Sequence, residues 1–185
     1  MSEPLNSLQQ CRIAIDLCRD KALMMPVIAM IYSSIDTMAW FGCPATQTDV
    51  QRNDFIGWVD RYLLPDSGLT CTATELYSAR CGVLHTMSPE SKIVRSAQAR
   101  KVLYGWGTHR AELLDGFGKY IGVACVGVDI DVLIKAFDTA VDRFIQDIER
   151  SSELRNRVEP RQRLVFAEWR PDEPEALHRK ITQKE

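Results

Sequence analysis

Apolar positions recur at three- and four-residue spacing through most of this chain, and that period predicts helices. Leu8, Cys11, Ile15 and Cys18 mark a first helix over residues 5–19. A second is expected over 26–41, with Pro26 in the first turn, where its missing N–H costs nothing, and Gly42-Cys43-Pro44 as the stop. Thr48 and Gln51 have capping-box spacing and open a third helix to Leu64, with Phe55, Val59, Tyr62 and Leu63 inward and Arg52, Asp54, Asp60 and Arg61 mostly outward. Thr72 and Glu75 repeat that spacing and open a fourth helix over 72–88, stopped by Ser88-Pro89. The most regular segment runs from Asp129 to about Arg155, with Ile130, Leu133, Ile134, Phe137, Val141, Phe144, Ile145 and Ile148 on one face.

Between these helices the period changes. Residues 101–106 (KVLYGW) and 120–128 (YIGVACVGV) are β-branched, aromatic and interrupted by glycine, which predicts two strands. We read them as an antiparallel pair, a small β-hairpin inserted within about 100–128, whose connection over 107–119 has room for one helical turn. The fold class expected is therefore mainly α: an antiparallel helical bundle over 1–158, followed by a charged tail over 159–185 in which Leu164-Val165-Phe166 forms a short strand or docking segment.

At 185 residues and 21.0 kDa the chain suits one domain with its own core. A net charge of −2 argues against binding nucleic acid by bulk charge, so any RNA contact must be local. Six cysteines without a C-x-x-C pair fit reduced thiols rather than a disulfide frame or zinc ribbon. The polar start MSEPLNS gives no signal peptide, and the longest apolar run, 22–32, is too short to span a bilayer, so a cytoplasmic protein with no membrane contact is expected. The glycines have no phosphate-loop spacing, His109 and His178 are isolated, and Cys81 with His85 lacks further ligands, so neither metal nor cofactor is expected.

The candidate chemistry sits on the fourth helix. At 100° per residue, Leu76, Tyr77, Val83, Leu84 and Met87 fall within about 60° of Arg80, which sets a guanidinium in an apolar stripe where it needs a partner. His85 lies roughly 140° round, beside Thr74, Ser78 and Cys81, small side chains that leave its imidazole accessible. One reading is structural: Arg80 pairs with a buried acid such as Asp36 or Asp60, and His85 sits near the negative end of the helix dipole. The other is catalytic, because histidine transfers protons near neutrality and arginine offers a planar, always charged fork to phosphate. The spacing by itself is weak, since a chain with this many arginines meets it about once by chance.

Together with Ser-Pro-Glu at once after it, the stretch ARCGVLHTMSPES resembles the R-x4-6-H signature of HEPN-domain proteins, on Arg80 and His85. Cys81 stands where that family often carries Asn, Asp or His after the arginine. The resemblance implies a helical bundle that commonly dimerises and a metal-independent endoribonuclease leaving 2′,3′-cyclic phosphate ends, often in toxin–antitoxin or antiviral defence. It also allows a catalytically silent module that binds a partner protein. It would make Arg80 and His85 catalytic and RNA the substrate, in a homodimer, with an antitoxin or nucleotidyltransferase-type protein as a further partner. Tyr77 and Ser78 are placed to position the phosphate, although a tyrosine beside the stripe equally suits the core. Lys92 and Arg95 read as either a solvated basic face or contacts to the RNA backbone.

Overall fold

The computed structural model describes residues 6–107, 111–162 and 164–165. In chain order the elements are α1 (Asn6–Asp20), α2 (Met24–Gly42), α3 (Arg52–Trp58) with a π turn (Val59–Leu63), α4 (Ala73–Thr86), α5 (Lys92–Arg95), β1 (Lys101–Gly105), α6 (Ala111–Tyr120), β2 (Cys125–Asp129), α7 (Ile130–Arg150) and α8 (Ser152–Gln162). The protein is mainly helical, as the apolar period predicts.

α2 is the axis. Val27, Ile28, Ile31, Tyr32, Ile35, Met38 and Phe41 are buried on it, and α1, α3, α4, α7 and α8 all pack against it. By length and composition alone it could cross a bilayer, yet half of it is buried in this core. Apolar residues around most of a helix are what a central position requires. α7 adds Leu133, Ile134, Phe137, Ala140, Val141 and Phe144 to the core, and Arg12 ties α1 to α7 through Asp138 and Asp142, each at 2.9 Å.

The third helix differs from its expected form in two ways. Its cap is Gln51, whose backbone N–H meets Asp54 Oδ2 at 2.7 Å, one turn later than the Thr48 start. The Thr48 carbonyl instead accepts the Trp40 indole N–H at 2.8 Å, and Gln47 reaches across the loop to the Asp49 carbonyl at 2.8 Å, so the preceding residues fold as a loop. The helix then widens into the π turn, which still buries Val59, Tyr62 and Leu63. Side-chain spacing does not register so small a change of pitch.

The expected hairpin is corrected. β1 and β2 are parallel, with Lys101 opposite Cys125 and Gly105 opposite Asp129, and their connection carries the ten-residue α6. Parallel strands require a crossover, so the long connection and the parallel pairing are one fact. Gly116 and Gly118 weaken the helical signal of α6 in sequence, because glycine is a poor helix former. Here Gly118 is where the helix touches the sheet: an added Cβ would lie 1.8 Å from Cys125 Sγ. Residues 120–124 are not strand.

The helical part also reaches past 158. α8 continues to Gln162 despite Pro160, with Val158 and Arg161 buried. Arg161 donates to the carbonyls of Trp40, Pro44 and Gln47, the latter two at 2.6 Å, and its guanidinium lies over the Trp40 ring. An arginine in a basic stretch thus pins the last helix to the end of α2. Leu164 and Val165 bond back to Arg161 and Gln162 as a turn rather than a strand. Phe166 and the rest of the expected tail lie outside the described residues, as does His109.

Candidate functional site

α4 begins as its sequence predicts. Thr72 Oγ1 accepts the Glu75 N–H at 3.2 Å and Glu75 Oε2 accepts the Thr72 N–H at 2.8 Å. Glu75 is buried and also takes Arg100, Nε to Oε1 at 2.5 Å and Nη2 to Oε2 at 3.0 Å. Burial pushes its carboxyl up, but the Arg100 hydrogen bonds and charge and the Thr72 N–H outweigh it and hold it below the ordinary 4.5. The stabilisation that follows is complete above the unfolded value and is lost as pH falls through the folded one. Glu75→Gln should therefore cost about 1–2 kcal/mol at neutral pH, and melts of both proteins across the acid range should converge as Glu75 protonates. An undiminished difference at acid pH would show that the loss comes from packing instead.

Arg80 does have a partner, and of the two acids named from sequence it is Asp36. Nε and Nη2 both donate to Asp36 Oδ2, at 2.8 and 2.5 Å, with the two side chains 20% and 17% exposed. Asp60, on the π turn, is exposed and does not make this contact. Burial pushes the Asp36 carboxyl up against the opposing pull of Arg80 and, more weakly, of His85. Burial likewise works against the charge on Arg80, yet Asp36 outweighs it and holds the guanidinium more firmly protonated. Asp36, Arg80 and His85 are therefore one electrostatic cluster at the α2–α4 contact. Asp36 takes the Nε and Nη2 edge of the guanidinium, and Cys81 is its further neighbour.

His85 is exposed in the last turn of α4. Tyr77 is half-buried: its ring meets Phe55 edge-on at 5.6 Å and lies under the Arg52 guanidinium at 5.7 Å. Burial, then the neighbouring Cys81, raise its hydroxyl pKa. Tyr77, Cys81 and His85, at four-residue steps, thus line the α4 surface next to Arg80.

Ser78 does not join them. It is buried and its hydroxyl is 2.6 Å from Ser91 Oγ, which itself caps α5 by accepting the Val94 N–H at 3.2 Å. The residue expected to hold phosphate is instead a pin between two helices. α5 is thereby docked on the flank of α4 that lies roughly 160° from Arg80, with Lys92 and Arg95 both exposed on it. Arg95 borders a groove of about 460 Å³ with Glu75, Glu90, Arg100 and Lys101. Within it Lys101 pairs with Glu90, and Arg100 with Glu75.

Two residues that matter here escaped the sequence reading. Arg52, placed among outward charges, covers Tyr77. Gly82 is where the chain leaving α4 turns back: Met87 is left-handed at φ 49°, and the Ser88 carbonyl oxygen comes so close that a Cβ on Gly82 would lie 2.2 Å from it. A glycine deep in a well-capped helix was the available signal, since it lowers helix stability unless something approaches it. Among the described residues, no group of three or more His, Cys, Asp or Glu side chains is gathered as for a metal ion. Compared with family models, curated proteins and solved structures, the chain matches none.

Proposed function

We propose that the chain is a metal-independent endoribonuclease of HEPN type, with Arg80 and His85 as its catalytic residues, acting in the cytoplasm in a toxin–antitoxin or antiviral role. The observation that carries this reading is a guanidinium fixed on one edge by Asp36, with an exposed imidazole a turn and a half further along the same capped helix. Cleavage needs three things: a proton taken from the 2′-hydroxyl as it attacks phosphorus, a proton given to the leaving 5′-oxygen, and neutralisation of the pentacoordinate phosphate. His85 serves proton transfer, and the Nη1 edge of Arg80 serves the phosphate oxygens. One imidazole does not easily act as both base and acid in one step, so a homodimer that brings a second His85 to the bond completes the reaction. Tyr77 and Arg52 offer a surface on which an unstacked base can lie.

The second reading, a silent HEPN-like module that binds a protein such as a nucleotidyltransferase-type antitoxin, is favoured by the same ion pair, since Asp36 already neutralises Arg80. Incubation of purified protein with RNA in EDTA separates the two. Cleavage with 2′,3′-cyclic phosphate ends supports the enzyme; intact RNA in the presence of folded dimer supports the module.

A further inference from the structure

The βαβ unit inverts the usual polarity of a crossover helix. α6 meets the sheet through its smallest groups: a Cβ on Gly127 would lie 2.2 Å from the Ala111 carbonyl oxygen, and Gly118 is pressed against Cys125. Asp115 also turns that way, accepting the Gly127 N–H at 2.6 Å. Leu114 is half-buried on that side, but four other large apolar residues are left pointing outward. Leu113, Phe117, Tyr120 and Ile121 are 63%, 53%, 88% and 48% exposed and follow the i, i+4, i+7, i+8 spacing of one helical face. Taking roughly 200 Å² for a fully exposed side chain of this size, the patch is on the order of 500 Å². Contiguous apolar surface of that extent marks an interaction site more often than bare surface.

We propose that this face docks on the same face of a second copy, the two α6 helices running antiparallel about a two-fold axis. Area and charge select a second copy as the occupant. Two such patches cover on the order of 1,000 Å², where specific interfaces begin. Glu112, at the start of α6, and Lys119, near its end, are both exposed and belong to none of the ion pairs among the described residues. Antiparallel pairing sets Glu112 of one copy near Lys119 of the other, twice by symmetry, whereas a parallel pair sets like against like. Midway between them Gly116 has open space where a side chain would be, which lets the two backbones approach where they cross.

None of these residues belongs to the Arg80 cluster, so the contact stands whether or not the chain cleaves RNA. If copies also meet around His85, the smallest closed assembly with two different two-fold contacts is a tetramer, and losing the α6 contact cuts it to a dimer, half its mass. Sedimentation or light scattering of the full chain at micromolar concentration reads this. Wild type is expected at twice 21.0 kDa or a higher multiple, and Phe117→Glu at half the wild-type mass with an unchanged melting temperature. Glu112→Lys and Lys119→Glu should each weaken association on the order of tenfold, and the double reversal should restore it. A monomeric wild type, a mass unaffected by Phe117→Glu, or a double reversal no tighter than the single changes would overturn the proposal. Protection of Phe117 that disappears on deleting residues 166–185 would assign the patch to the chain's own C-terminal segment and overturn it too.

Discussion

Replacing His85 by Ala is expected to abolish RNA cleavage while the protein stays as stable as wild type, and Arg80→Lys is expected to lower cleavage on the order of 10²-fold or more. His85 is exposed and no hydrogen bond holds it among the described residues, so its loss removes a proton-transfer group and little packing. Arg80 is different, because it supports the fold and the proposed chemistry together. Lysine keeps the charge but cannot hold Asp36 with Nε and Nη2 while presenting a further N–H edge to phosphate. Arg80→Ala should destabilise by about 3 kcal/mol by leaving Asp36 half-buried without its cation. Burial already pushes that carboxyl up, so in Arg80→Ala it should bind a proton more readily still. The double change Arg80→Ala with Asp36→Asn should therefore recover stability but not cleavage. Thermal melts beside a cleavage assay in EDTA measure both quantities. If wild type leaves RNA intact and only the Arg80 variants melt early, the pair is structural and the binding-module reading takes over.

Gly82→Ala is expected to lower stability more than most single-methyl additions, by about 3 kcal/mol. The added methyl meets the Ser88 carbonyl oxygen at 2.2 Å and the Glu90 carbonyl oxygen at 3.0 Å. These are backbone atoms, so relief requires moving the 88–91 segment that carries Ser91 onto Ser78. For a chain of this length that corresponds to a fall in melting temperature of roughly 6–12 °C. Gly57→Ala is the matched control: it is a helical glycine with nothing within 4 Å of the added Cβ, and it should be neutral or slightly stabilising because alanine is the better helix former. Equal melts for the two variants would mean that the 88–91 segment yields freely.

Local signals were enough wherever one helix satisfies itself. Thr72 and Glu75 cap α4 because both partners lie within a single turn, and the inward set on α7 is buried from Ile130 to Phe144, with Ile145 and Ile148 half-buried, because a long amphipathic helix has only one way to hide its face. The need of Arg80 for an acid was legible for the same reason: a charge in an apolar stripe must be paired. Which acid it would be was not. Asp36 is chosen over Asp60 because α2 passes beside α4 while Asp60 faces water, and that follows from how helices cross.

The remaining misreadings also turn on long-range contact. Gly116 and Gly118 make α6 look like a loop, and the close approach of helix to sheet that compensates Gly118 is invisible along the chain. Once α6 exists the strands must be parallel, so one missed helix changed a hairpin into a βαβ unit. Ser78 and Ser91 are thirteen residues apart and nothing along the chain couples them, yet together they are a buried bond. By itself the amino-acid order determined a mainly helical domain, the limits of α1, α2 and α4 to within about two residues, and an arginine and a histidine on one capped helix, because those follow from period and from groups a few residues apart. Tertiary structure alone decided the acid that holds Arg80, the withdrawal of Ser78, the parallel strands and the apolar face left open on α6, because each depends on which distant surfaces meet and how closely their backbones approach.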